Sequence, residues 1–157
     1  MLKNTLIFFI FIVSKGLLAQ ENTPEIQIKN VIEVFFKGLH EGGSTLMSST
    51  LHKNIKIQTT STNKEGKSIL LTESKQELLA SIANKKPTDI YLEKLLSIDI
   101  KVDGNLASVW APYEFYFNGN FSHCGANSFQ LFDNNGTWEI IYLVDIRRTQ
   151  NCQPIKE

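Results

Sequence analysis

Leu106-Ala-Ser-Val-Trp-Ala-Pro-Tyr-Glu-Phe-Tyr-Phe117, then Asn118-Gly-Asn120, then Phe121-Ser-His-Cys-Gly-Ala-Asn-Ser-Phe-Gln-Leu-Phe132: these two long segments and their turn decide how the chain is read. The first alternates with period two. Ala107, Val109, Ala111, Tyr113, Phe115 and Phe117 share one face, and Trp110, Glu114 and Tyr116 take the other. A three-residue turn at 118–120 pairs Phe117 with Phe121, which adds Phe121, His123, Gly125, Asn127, Phe129 and Leu131 to the first face. That face is apolar and aromatic except at His123 and Asn127. A helix-covered sheet face of this composition is the expected lining of a small-molecule pocket; the alternative is a core with one satisfied histidine.

Working outward, Tyr91 to Val102 and Thr137 to Arg147 also read as strands, which makes a four-stranded antiparallel meander. The turns at 103–105 and 133–136 are rich in Asp, Asn and Gly, which tolerate positive φ. The last strand carries Asp145 and Arg147. A two-residue turn before it puts Trp138, Ile140 and Tyr142 on the His123 face; a bulged three-residue turn puts Asp145 and Arg147 there. Both registers stay open.

Upstream, Thr23-Pro24-Glu25 opens a helix with Ile28, Val31, Ile32, Phe35, Phe36 and Leu39 on one stripe, closed by Gly42-Gly43. Ser44 caps a short helix with Leu46, Met47 and Leu51. A strand follows from Ile55, with its hairpin partner at Ser68 to Leu71. Thr72 or Ser74 opens another helix carrying Leu78, Leu79 and Ile82. Helices segregated to one face of a bent antiparallel sheet make an α+β domain.

The N-terminus predicts an address. Lys3, the apolar run Leu6 to Val13 and Ala19 before a polar stretch form the three parts of a secretory signal peptide. Residues 1–19 are read as that signal and 20–157 as a single domain, exported to the periplasm or secreted, with no membrane contact after cleavage. In an oxidising compartment Cys124 and Cys152 are expected to form a disulfide, two free thiols being the alternative. Sixteen basic and 16 acidic residues leave no net charge, which argues against a nucleic-acid partner.

Phe35-Phe36-Lys37-Gly38-Leu39-His40, the strand from Ala107 to Tyr116, Phe121-Ser122-His123-Cys124-Gly125 and Trp138 to Arg148 together resemble the nuclear transport factor 2-like superfamily. Within it the chain is most similar to the exported subgroup known as lumazine-binding proteins. The resemblance spans the whole mature chain and implies a cone: a strongly curved sheet wrapped around helices, open at one end to a cavity. It also implies Trp110, Tyr113, His123, Asp145 and Arg147 as pocket residues. The superfamily holds isomerases, cyclases, dehydratases and proteins that only bind, so the fold names no reaction.

Three functions are expected in order. The first is binding of a small apolar or aromatic ligand by Trp110, Tyr113, Phe115, Asn127 and Arg147 around a histidine. The second is acid–base catalysis by His123, oriented by Asp145, with Arg147 holding an oxygen. The third is a structural domain that forms a homodimer through the outer sheet face, using Trp110, Tyr116 and Trp138. Phosphate loops, nucleophile elbows and metal-binding histidine spacings do not occur, so neither metal nor cofactor is expected.

Overall fold

The computed structural model describes residues 22–152, so the segment read as a signal peptide lies outside the described residues. Helix α1 (Pro24–Glu41) starts where expected: the Thr23 hydroxyl accepts from the Ile26 N–H, and Pro24 needs no partner. It stops at Gly42, whose φ of 72° is a left-handed cap. Gly38 serves closeness instead, because a Cβ there would meet the Cβ of Met47 at 2.8 Å. That contact seats α2 (Ser44–Ser48) on the end of α1.

Strand β1 (Leu51–Thr62) begins four residues earlier than its alternation predicts, with a register irregularity between Leu51 and Lys56 masking the period. It pairs antiparallel with β2 (Ser68–Glu73). Helix α3 (Lys75–Ala83) opens with a capping box in which Ser74 and Glu77 satisfy each other's backbone N–H groups.

The predicted strand from Tyr91 to Val102 is two strands, β3 (Tyr91–Leu95) and β4 (Asp99–Asp103), interrupted at Leu96–Ile98. Both pair with opposite ends of β5 (Leu106–Phe117). After β6 (Asn120–Asp133) and β7 (Trp138–Arg148) the sheet is complete. Its order is β2-β1-β7-β6-β5-β3, with β4 also on β5. Every pairing is antiparallel except β1 with β7, which is parallel. The result is a curved, unclosed α+β sheet with its helices on one face.

Two turns behave differently from their sequence reading. Asn118 and Gly119 both have positive φ and form a two-residue turn, so Phe117 pairs with Asn120. A bulge between Phe115 and Tyr116 then restores the odd-to-odd pairing, with Phe115 opposite His123, Tyr113 opposite Gly125 and Ala111 opposite Asn127. The predicted inner face is therefore correct from Ala107 to Phe117 on β5, but Phe121 is not part of it. Phe121 pairs with Tyr116 on the outside and is exposed.

In β7 both open registers occur, one on each side of a bulge. Leu131 faces Ile140, then an extra residue shifts the strand so that Phe129 faces Leu143, Asn127 faces Asp145 and Gly125 faces Arg147. Trp138 and Ile140 are buried at the start of the strand, while Asp145 and Arg147 share the His123 face at its end. Trp138 therefore belongs to the core and supplies no outer surface. Around it, Ile28, Ile32, Phe35 and Phe36 of α1 pack on Val109, Phe129, Leu131 and Ile140. The Phe129 ring meets Phe35 edge-on at 5.6 Å and Phe36 at 6.1 Å.

Candidate functional site

Beyond Phe129 the inner face opens. A cavity of about 440 Å³ lies between the helices and the strand ends. Phe35, Phe36, Met47, Ile57 and Leu143 give it an apolar lining, and Phe117, His123 and Arg147 stand nearer solvent. The volume is within the usual range for small-molecule sites.

Its polar groups fall into two sets. In the first, Asp145 is held by three donors: the Thr59 hydroxyl at 2.5 Å, Arg147 Nε at 2.9 Å and the Tyr113 hydroxyl at 3.4 Å. Tyr113 reaches this position by lying across Gly125, where any Cβ would come within 2.9 Å of its ring and collide with the Ile146 carbonyl. Its hydroxyl is also 3.2 Å from that carbonyl. Burial, then the neighbouring Glu93 and Asp145 carboxylates, pushes the Tyr113 phenol above its ordinary range. Arg147 uses only Nε within the protein; its two terminal nitrogens donate to no group among the described residues.

Glu93 makes the second set with Asn127, which donates from Nδ2 at 2.6 Å to Glu93 Oε1. Protein atoms crowd the Glu93 carboxyl, although the cavity leaves the residue partly accessible. Desolvation lifts it from the ordinary 4.5 to about 7, with Asp145 adding to the rise while Asn127 and Arg147 oppose it. Its backbone is fixed from the other side, since the Glu93 N–H donates to His40 Nε2 at 2.9 Å. Burial lowers the pKa of His40. Glu73, at the end of β2, lies on the same cavity and is also raised by burial.

The expected His123–Asp145 hydrogen bond is not formed. His123 stacks on Phe115 at 4.8 Å, stands edge-on to Tyr113, and its Nδ1 is 3.1 Å from the Ser122 hydroxyl. Asp145 turns instead toward the three donors named above. Burial, then the Arg147 charge, lowers the His123 pKa, with Asp145 acting in the opposite sense. Burial and the Arg147 charge thus disfavour the protonated ring.

Of the residues expected at a pocket, Tyr113, Phe115, His123, Asn127, Asp145 and Arg147 line the cavity. Trp110 does not. It lies on the outer face, half exposed, beside the Cys124–Cys152 disulfide, because an even position on β5 points away from the helices. The two bonded cysteines have Cα atoms 5.7 Å apart. Sequence reasoning missed Glu93, Glu73 and Thr59. For Glu93 a signal existed: Tyr91, Glu93 and Leu95 alternate with Leu92 and Lys94. Each face of that strand mixes charge with apolar residues, so period alone does not say which is inside. Among the described residues no group of three or more His, Cys, Asp or Glu side chains is placed to hold a metal ion.

No protein-family model matches the chain, and no curated protein matches it by sequence. Solved structures match it in fold. A nuclear transport factor 2-like protein of unknown function from Shewanella baltica superposes with a TM-score of 0.57 at 17% identity, covering 80% of this chain and 94% of that one. One from Methylobacillus flagellatus gives 0.56 at 20% identity, with 80% and 92% covered. Another from Pseudomonas putida gives 0.61 at 10% identity, with 85% and 94% covered. The chain therefore has the nuclear transport factor 2-like fold, as its sequence motifs imply.

Proposed function

We propose that this protein is an exported small-molecule-binding domain whose ligand occupies the cavity between α1, α3 and the inner sheet face. The observation that carries this reading is the cavity itself. Its lining combines an apolar body with two polar sets that retain unused hydrogen-bonding capacity, Arg147 on one strand and Glu93 on another. A core alone has no use for such groups. Export is supported by the N-terminal sequence pattern and by the disulfide, which persists in oxidising compartments. Within the superfamily, the Ser122-His123-Cys124-Gly125 and Asp145-Ile146-Arg147-Arg148 segments favour the exported lumazine-binding subgroup.

Native mass spectrometry of gently purified protein tests the binding reading. A retained small molecule is expected, and it should be lost from His123→Ala protein that melts within a few degrees of the parent. Equal retention by that variant would remove His123 from the site. N-terminal sequencing of exported material should begin at Gln20 or Glu21; an intact Met1 on soluble cytoplasmic protein would contradict export.

Acid–base catalysis is the second reading, and Glu93 now supports it better than His123. A carboxyl that titrates at about 7 both gives and takes protons near neutrality. Glu93→Gln protein should then retain unreacted substrate where the parent retains product. Recovery of the same molecule from both favours binding without turnover.

A further inference from the structure

The charges left over on the cavity wall point to a class of ligand. One cation and one anion cancel there, because Arg147 Nε is bonded to Asp145 Oδ2 at 2.9 Å. Glu93 and Glu73 have no cationic partner among the described residues. Burial and the Arg147 charge disfavour a positive charge on His123. Among the lining residues themselves the uncompensated charge is negative; the nearby Lys85 ammonium, without a carboxylate partner among the described residues, stands outside the lining against the Tyr91 ring.

Beside Glu93 the wall is also aromatic. Across the β3–β5 ladder Glu93 pairs with Phe115 and Tyr91 with Phe117. The Tyr91 ring lies 5.8 Å from each of those two phenylalanine rings. Ring faces carry partial negative charge and attract cations. Tyr91 already does so within the protein: the Lys85 ammonium sits 5.3 Å from its centroid, held there by the Asp89 carbonyl. Glu93 itself is half used. Asn127 holds Oε1, while Oε2 makes no hydrogen bond among the described residues.

We propose that the cavity binds an organic cation, an ammonium group carried on an aromatic or aliphatic body. The ammonium sits between the free oxygen of Glu93 and the Tyr91, Phe115 and Phe117 rings, and the body lies toward Phe36 and Leu143. This deepens the small-ligand reading and rests on it. An anionic ligand anchored on Arg147 is the competing class. It would share the cavity with Glu73 and Glu93 and would have to displace or share the guanidinium charge with Asp145. A cation meets the opposite situation, since its charge offsets the burial and, to a lesser degree, the Asp145 charge that make Glu93 hard to ionise. The groups that act on the Glu93 carboxyl are Asn127 on β6 and Asp145 and Arg147 on β7; the other titratable groups on the same cavity are Tyr113 on β5, His123 on β6 and Glu73 on β2. His40 on α1 bonds its backbone.

Three probes of one shape separate the classes: phenethylammonium, neutral 2-phenylethanol and anionic 3-phenylpropanoate. Each is titrated into the mature, disulfide-bonded protein at pH 7 and followed by amide shifts of cavity residues and by calorimetry. Phenethylammonium is expected to bind about tenfold or more tightly than the other two, and Glu93→Gln to weaken it about tenfold to a hundredfold while leaving the alcohol unchanged. Binding of the cation should also release protons in the parent protein, seen as a heat that depends on the buffer; this readout stands even where the variant fails to fold. Tighter binding of 3-phenylpropanoate, or no proton release with the amine, overturns the cationic class and leaves the binding reading intact. If none of the three moves a cavity resonance at millimolar concentration, both readings fall.

Discussion

At Phe129 and Leu131 strand β6 is sealed beneath helix α1, with neither side chain exposed. A few residues earlier, at Asn127 and His123, the same face of the same strand looks into a cavity. Phe35 and Phe36 belong to both regions. They pack edge-on against Phe129 and also line the open space. The contrast shows that strand alternation decides which side chains point inward, whereas helix coverage decides which of those become core. Between His123 and Leu131 the polar residues on this face of β6 fall in the open half, and no buried side-chain polar atom among the described residues is left without a hydrogen-bond partner.

Four perturbations test this division. The largest effect belongs to the sealed half. Phe129→Ala should cost about 3–5 kcal/mol, since a ring with no exposure leaves a hole that α1 cannot fill. Urea unfolding measures it, and a loss below about 1 kcal/mol would mean that the cavity already extends beneath Phe129.

Next comes the disulfide, which ties the segment after β7 to the outer face of β6. It joins cysteines 28 positions apart, for which chain entropy predicts about 3–4 kcal/mol. Denaturation with and without reductant should differ by that order, with the fold retained. Reduction without any change in midpoint would show that the bridge constrains nothing in the unfolded chain.

The open half should reveal itself by pH. The Glu93 carboxyl is raised from 4.5 to about 7 in the folded state, so folding favours its protonated form. The sign follows: this stability is complete below about pH 4.5, declines as pH rises, and is gone once pH passes about 7. Its full extent is at most about 3 kcal/mol, reduced by whatever water the cavity holds. Glu93→Gln should remove that slope from the stability profile between pH 5 and 8. An identical slope in the variant would assign the dependence to another group.

Thr59→Val should produce the smallest change, about 1 kcal/mol, because Asp145 keeps Arg147 and Tyr113 as donors. Thermal melts resolve a change of this size. A loss above about 3 kcal/mol would mean that Thr59 is the main support of the buried carboxylate.

Much of this was legible in the chain. Thr23, Pro24 and Gly42 mark α1 through local capping chemistry that needs no tertiary partner. The same is true of Ser74 and Glu77 at α3. Period two in β5 and β6 identified the inner face, and with it Tyr113, Phe115, His123 and Asn127. Trp110 was placed outside by that same alternation and inside by resemblance. The structure agrees with the alternation, since Cβ direction along a strand is a property of the backbone.

What only the tertiary structure decided was register. The bulge opposite Phe115 and the one near Leu131 each insert a single residue, and a single residue exchanges the two faces of a strand. Bulges leave no reliable mark on composition, because the inserted residue is chosen by the bend it permits. Thus Asp145 and Arg147 reach the cavity only because β7 slips after Trp138 and Ile140 have been buried. The partner of Asp145 was likewise undecidable from the chain. Thr59 is 86 positions away, brought alongside by the parallel pairing of β1 with β7. Glu93 entered the site through the short β3, whose five residues show the right period but no clear inside. Local patterns are set by covalent geometry and hydrogen-bond chemistry near each residue, so the sequence determines them. Which charges meet in the cavity depends on long-range pairing, which is fixed only when the whole sheet closes on its helices.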